Sequence, residues 1–249
     1  MIHLLTPAYN EAENLKMLIK SVNNALKKDY VLTIVNDGST DQTPKLVKKL
    51  SQKYPVRIVG YKQNKGPGFA FRFGLNLLLK EANKDDVIIT LESDNTSDLS
   101  VIFKMISLLE KFDVVIAAPS KIKKGFVGVK SHRVFISNLN HHLLKLIFPI
   151  RGVESYSNFF RAYKVSILKK AKSIYGDDYI TENGFTSVTE LLIKLDKIGA
   201  KMTSVPARID WSKRLGKSKM KILKYARRQI VLIIKYKLLP AYFIKSKRL

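Results

Sequence analysis

The chain has 249 residues, 46% of them apolar, no cysteine and a formal charge of +25. That apolar share supports a sizeable core, in one large domain or a domain with an appendage, while the lack of cysteine rules out disulfides and thiolate metal sites and fits a reducing compartment. The opening MIHLLTPAYNE has neither the cationic flank nor the apolar stretch of a secretory signal, and no run of about 18 apolar residues could cross a bilayer, so neither export nor a membrane span is expected.

The elements alternate along the chain. Residues 2–5 form a short apolar run, and residues 11–26 then have helical periodicity through Leu15, Leu18, Ile19 and Val22. Residues 31–35 are a β-branched strand closed by the turn-forming Asn36-Asp37-Gly38-Ser39. A helix over 44–50, a strand over 56–60, a helix over 68–79 and a strand over 87–91 follow. This alternation predicts an α/β layered domain with a mostly parallel central sheet flanked by helices, and such sheets bind ligands at the carboxyl ends of their strands.

The loops leaving three of these strands read TPAYNE (6–11), NDGSTD (36–41) and ESDNTSD (92–98), so acid gathers at one sheet edge of a strongly basic chain. If extended geometry continues past Leu91, Glu92 and Asp94 point the same way and two oxygens can reach one hard divalent ion, Mg²⁺ or Mn²⁺, itself bridged to substrate phosphates. The alternative is a solvated acidic loop capping a helix from Ser100, with Asp98 near the cap.

Between the second and third acidic loops lies NKGPGFAFRFGL (64–75). Gly66 and Gly68 permit close backbone approach to an anion, a helix starting near Gly68 would aim free amides at it, and Lys65 and Arg72 add positive charge. The alternative is a loop that only turns the chain. Neither G-x-x-x-x-G-K-[ST] nor G-x-G-x-x-G occurs.

Taken in order, TPAYNE, VNDGSTD, NKGPGFAFRFGL, the acid-x-acid after an apolar strand, FFRAY and RLGKSKM resemble family 2 glycosyltransferases of the GT-A fold, and above all the polyprenyl-phosphate sugar transferases, over roughly residues 2–222. The resemblance implies that Pro7, Tyr9 and Glu11 hold the base and ribose of a nucleotide-sugar donor, with Asp37 on the base and Lys65 and Gly68 beside them. It implies that Glu92 and Asp94 hold the metal bridging the diphosphate, which makes Asp94 catalytic. Asn36 stands where the family has the first aspartate of a pair, and Glu92 where it has the first aspartate of D-x-D.

The second half bears on the acceptor. GVESYSNFFRAYKVSIL (152–168) resembles the segment written SGFRAYR-x-x-L in the lipid-phosphate transferases, with Asn158 and Phe159 replacing serine and glycine; Ser157 and Arg161 become acceptor-side candidates. WSKRLGKSKMKI (211–222) resembles their R-x-x-G-x-S-K loop, in which Lys213, Arg214, Ser218 and Lys219 would neutralise phosphate charge, a solvated basic tail being the alternative. A hydroxyl acceptor needs a base and a lipid phosphate does not. TENGF (181–185) resembles the T-E-D of hydroxyl-glycosylating relatives with Asn183 in place of their catalytic aspartate, which favours a phosphate acceptor; Glu182 and Glu190 remain candidate bases, Glu190 standing where the lipid-phosphate relatives also carry glutamate and so not discriminating.

Charge divides unevenly, with 14 Lys/Arg against 11 Asp/Glu in residues 1–100 and 31 against 9 thereafter. Drawn as a helix, residues 217–235 place Lys217, Lys221, Lys224, Arg228 and Lys235 opposite Leu223, Ala226, Ile230, Ile233 and Ile234. Such a helix would lie on an anionic membrane surface or dock on the catalytic domain. The expectation is a transferase domain over 1–222 with a basic amphipathic extension over 223–249, at the cytoplasmic membrane face. It would move a sugar from a UDP- or GDP-sugar to a polyprenyl phosphate, or to a glycan hydroxyl. The net charge also prompts a nucleic-acid-binding reading, against which the acidic edge stands; no nucleic-acid partner is expected.

Overall fold

The β-branched and aliphatic runs near residues 31–35 and 87–90 form strands buried on both faces, which is why they read as nearly continuous apolar stretches rather than as alternation. The computed structural model describes residues 1–27, 29–216 and 222–238. The first half runs β1 (Ile2–Ala8), α1 (Ala12–Leu26), β2 (Tyr30–Asp37), α2 (Thr43–Leu50), β3 (Val56–Tyr61), α3 (Pro67–Glu81), β4 (Val87–Thr90) and α4 (Ile102–Leu108). The second runs β5 (Val114–Ala118), β6 (Phe126–Val127), α5 (Ser131–Ile147), β7 (Arg161–Lys164), α6 (Val165–Tyr175), α7 (Ser187–Lys197), β8 (Met202–Pro206), β9 (Ile209–Asp210) and α8 (Ile222–Ile233).

Seven strands make one sheet in the order β3-β2-β1-β4-β7-β5-β8. All neighbours are parallel except β7, which runs antiparallel to both β4 and β5. The expected α/β architecture with a mostly parallel sheet is therefore present. The FFRAY segment supplies the strand the alternation did not announce: Ala162 and Tyr163 are fully buried between β4 and β5.

Side chains alternate across the sheet, so Leu4 and Leu5 enter different cores. One core packs Leu4, Ile34 and Ile89 against Leu15, Leu18 and Ile19 of α1 and Val47 of α2. The other packs Leu5, Val35 and Ile88 against Phe71 and Leu75 of α3 and Leu191 of α7. Helix α3 sits close to the sheet because residue 74 is glycine: a Cβ there would stand 2.4 Å from Leu5 Cδ1 and 2.8 Å from Val35 Cγ2.

The C-terminal helix docks on this second core, with Leu232 and Tyr236 buried in it and Gln229 buried beside them. Leu223, Ile230, Val231 and Ile234 stay exposed. No helix among the described residues is long and apolar enough to cross a membrane. Residues 239–249 of the expected extension lie outside the described residues.

Candidate active site

Parallel pairing of β1 with β2 and β4 sends their following loops off the same edge of the sheet. Ala8 is in register with Asn36, and Leu5 with Thr90. Pro7 lies near the end of β1, Tyr9 and Glu11 follow it, Asp37 ends β2, and Glu92 and Asp94 follow β4. The strand-end rule thus collects the acidic residues as expected.

Two sequence-distant acids share one cation. The Arg214 guanidinium donates to Asp94 Oδ2 and stands 3.7 Å from Glu11 Oε1, with all three side chains largely buried. Asp94 Oδ1 accepts from the Thr96 hydroxyl at 2.7 Å. Glu11 accepts from Asn14 Nδ2 at 2.6 Å, and Asn14 also grips both backbone groups of Leu215, at 2.8 and 3.0 Å. Asn14 therefore pins the chain beside Arg214 to the first helix.

Glu92 is held by the Ser97 hydroxyl at 2.6 Å and the Phe159 amide at 3.1 Å. Burial, then the neighbouring Asp94 charge, pushes its carboxyl above the usual range. The same loop also caps a helix: Asp98 accepts from the Ser100 amide at 3.2 Å, at the start of a 3-10 turn leading into α4. The capping expectation for Asp98 is therefore met within the same segment that carries Glu92 and Asp94.

Among the described residues no group of three or more His, Cys, Asp or Glu could form a complete metal cage. The residues present nonetheless fit a hard divalent ion. Two carboxylates interact closely enough for one to raise the pKa of the other, and a guanidinium already stands on Asp94 as a cation. Such ions commonly take one or two carboxylates and complete their shell with substrate phosphates and water.

Asp37 is 2% exposed and its two oxygens are engaged by its own chain. It accepts from the Lys65 amide at 2.8 Å, the Gly66 amide at 3.0 Å, Tyr61 Oη at 2.8 Å and Asn64 Nδ2 at 3.0 Å. The anion at the start of α3 is thus an internal carboxylate, which organises residues 61–66. The Gly68 amide donates to Asn183 O at 2.9 Å, and a Cβ at residue 68 would stand 2.2 Å from Glu182 O. Its glycine serves close approach to the 182–184 backbone. The Lys65 ammonium lies over the rings of Phe69 and Tyr61, 4.7 and 5.4 Å from their centroids.

Glu190 is fully buried. It accepts from the amides of Thr181 and Glu182, each at 2.8 Å, from the Thr181 hydroxyl at 2.6 Å, from Tyr236 Oη at 2.5 Å and from Lys194 Nζ at 2.9 Å. Burial opposes its charge, but the Lys194 ammonium and these donors outweigh burial and hold its carboxyl below the usual range. This geometry makes Glu190 the anchor of loop 181–184 and leaves it no path to a substrate proton. Glu182 is half-buried and accepts from the Thr186 hydroxyl at 2.8 Å.

The acceptor-side candidates separate. Ser157 is exposed beside the Tyr225 hydroxyl of α8, which takes a 3.4 Å hydrogen bond from Asn140. Arg161 is fully buried and donates to Val188 O and Tyr156 O, each at 2.7 Å, so its guanidinium faces the core. Lys213 is exposed, 4.0 Å from Asp210. Ser218 and Lys219 lie outside the described residues.

Sequence reasoning passed over Asn14, Tyr61, Asn64 and Lys194. Asn14 carried a readable signal, a polar residue beside Leu15 and Leu18 on a buried helix face. The partners of the other three arise from folding.

The chain matches glycosyl transferase family 2 over residues 4–171. Among curated proteins it is 28% identical over 232 residues to a dolichol-phosphate mannosyltransferase of Pyrococcus furiosus, covering 91% of this chain and 62% of that protein. It is 26% identical over 234 residues to a dolichyl-phosphate beta-glucosyltransferase of Trichomonas vaginalis, covering 89% of this chain and 68% of that protein. The chain thus spans less than two thirds of its Pyrococcus relative. Its fold resembles glucosyl-3-phosphoglycerate synthase of Mycobacterium tuberculosis, solved with Mn²⁺, UDP and glucosyl-3-phosphoglycerate, with a TM-score of 0.67 at 17% identity over 95% of this chain and 80% of that one. The same enzyme with Mg²⁺ and UDP gives a TM-score of 0.66 at 17% identity, over 95% of this chain and 79% of that one. With a match spanning more than half its length, the chain belongs to glycosyl transferase family 2.

Proposed function

We propose that this chain transfers a sugar, with inversion, from a nucleotide-sugar donor to a polyprenyl phosphate at the cytoplasmic face of a membrane. The observations that carry the acceptor assignment are Asn183 in place of the catalytic aspartate and the sequestration of Glu190, one of the two remaining candidate bases. A hydroxyl acceptor must lose a proton as it attacks, and this carboxylate is committed to Lys194, Thr181 and Tyr236. Position 183, where hydroxyl-glycosylating relatives carry aspartate, is asparagine, and its backbone oxygen is bonded to Gly68. A phosphate monoester arrives already ionised. The names of the Pyrococcus and Trichomonas relatives support the same class of acceptor.

On this reading the donor's nucleoside lies against Pro7, Tyr9 and Glu11, with Asp37 keeping residues 61–66 in place beside it. Its diphosphate lies between Glu92, Asp94 and Arg214. Glu92 and Asp94 would hold Mg²⁺ or Mn²⁺, whose charge offsets that of the departing diphosphate. Arg214, already within reach of Asp94 and Glu11, supplies a second positive charge on that side, and Lys213, Ser218 and Lys219 would add to it. The exposed apolar residues of α8, flanked by cations, fit contact with an anionic membrane surface.

A second reading has a specific support. Glu182 is half-buried in a cleft and could act as base toward a glycan hydroxyl. Incubating the chain with UDP- and GDP-sugars, Mg²⁺ or Mn²⁺, and either polyprenyl phosphate or oligosaccharide separates the two. Product on polyprenyl phosphate is expected; product on oligosaccharide alone assigns the hydroxyl.

A further inference from the structure

Helix α8 places Lys224, Arg227, Arg228 and Val231 at helical spacings i, i+3, i+4 and i+7, so that all four lie on one face. That face and residues 181–183 enclose a cleft of about 400 Å³. The far wall is the loop tied to the start of α3 by the Gly68–Asn183 bond and to the core by Glu190. The cleft is therefore bordered by the loop that packs against the start of α3.

Its charges are unbalanced. Lys235, further along the helix, is 2.8 Å from the Thr181 hydroxyl and 4.0 Å from Glu190. Lys224, Arg227 and Arg228 make no ion pair with any described residue. Among the described residues the only acid in the lining is Glu182, whose carboxylate accepts from Thr186. Three like charges line one wall of the cleft, and a phosphate offers each a charge-assisted hydrogen bond. At one end the lining turns apolar: Val231 is 53% exposed, with Ile230 and Ile234 exposed next to it. A head group in the cleft would thus leave its chain running over apolar surface.

We propose that Lys224, Arg227 and Arg228 hold the phosphate of the acceptor, a phosphate monoester on an apolar chain, in the cleft between α8 and residues 181–183. The assignment of this anion to the acceptor rests on the function proposed above; the site stands on the geometry. Arg228 is seated by the absence of a side chain opposite, since a Cβ on Gly184 would come 2.2 Å from its Nη1. Residue 184 has no positive φ, so Gly184→Ala displaces the end of a flexible side chain while leaving every charge in place.

The test is calorimetric titration of the full chain with geranyl phosphate, geraniol, inorganic phosphate, and UDP with Mn²⁺. Wild type is compared with the triple variant Lys224→Gln, Arg227→Gln, Arg228→Gln and with Gly184→Ala, folding being checked by circular dichroism and melting temperature. The triple variant should bind geranyl phosphate at least about tenfold more weakly, with Gly184→Ala weakened to a smaller degree and UDP affinity within about twofold of wild type. Equal binding of geranyl phosphate by wild type and triple variant, or none by wild type, overturns the site. Equal affinity for geraniol makes it an apolar patch, equal affinity for inorganic phosphate makes it a free-phosphate site, and a parallel loss of UDP affinity gives it to the donor; each overturns the assignment.

Transfer assays run alongside separate this proposal from the proposed function. If geranyl phosphate binds through these cations but sugar is transferred only to oligosaccharide, the site survives and the acceptor reading fails. If transfer to polyprenyl phosphate keeps an unchanged KM in the triple variant, the acceptor reading survives and the site fails.

Discussion

Arg214 and Asp94 stand 120 residues apart in sequence, yet the guanidinium of one rests on the carboxylate of the other, with Glu11 at 3.7 Å. On the proposed function the guanidinium occupies an Asp94 oxygen that a divalent ion would also use in the nucleotide-free chain, so the two cations would compete there until the diphosphate draws the arginine to itself. Replacing Arg214 with Met should tighten Mn²⁺ binding to the nucleotide-free chain by about tenfold, within the usual range of coupling between two ligands. Unchanged Mn²⁺ affinity by calorimetry would separate Arg214 from the metal position.

Asp94→Asn keeps the shape of the side chain and removes its charge. Transfer should fall by about 10²–10³, the usual loss when one element of transition-state charge stabilisation is removed. Circular dichroism should be unchanged. Turnover equal to wild type would take Asp94 out of the site.

Asp37 satisfies two backbone amides, a phenol and a carboxamide. Asp37→Ala should cost about 1–3 kcal/mol for each donor left buried without a partner, and should loosen residues 61–66. Urea unfolding would show the loss of stability, and UDP titration a weaker affinity. A variant with wild-type stability would show that the loop holds itself.

Glu190 carries a pH dependence whose sign follows from its environment. Its carboxyl is held below the usual range in the folded chain, so the unfolded chain binds the proton more readily there. The contribution is fully present above the unfolded pKa of about 4.3 and is lost as pH falls through the folded value. Glu190→Gln should flatten this acid limb and cost about 3–5 kcal/mol at neutral pH, because it leaves Lys194 buried without its countercharge. Thermal melts from pH 3 to 7 measure both effects, and a further Lys194→Met change should recover part of the loss.

Arg161 was a phosphate candidate in the sequence and is a core residue in the fold. Arg161→Met should lower the melting temperature, at about 1–3 kcal/mol for each carbonyl left unpaired, while KM for the acceptor moves little in the folded fraction. A large rise in KM at unchanged stability would return it to the acceptor.

The first half of this fold was legible because its signals are local. The periodicity of residues 11–26 and the β-branched run of 31–35 predicted α1 and β2 to within a few residues, with the strand running on through Asp37 into the expected turn. What each acid touches was not legible. The chain gives no local sign that Asp37 would face amides of residues 65 and 66 rather than a ligand, or that Arg214 would reach Asp94. FFRAY read as an acceptor motif, yet it pairs antiparallel between β4 and β5, a register fixed by long-range strand order. The amphipathic pattern of residues 217–235 was visible, but docking through Leu232 and Tyr236, and the cleft that docking makes, depend on a surface built by α3, α6 and α7.

The account is tested most directly by the acceptor of the transferred sugar. With a radiolabelled nucleotide sugar, Mn²⁺ and a choice of polyprenyl phosphate or oligosaccharide, the label should pass to the organic-soluble lipid phosphate in wild type and should be almost absent with Asp94→Asn. Label recovered solely on oligosaccharide, or equal transfer by the Asp94 variant, would contradict it.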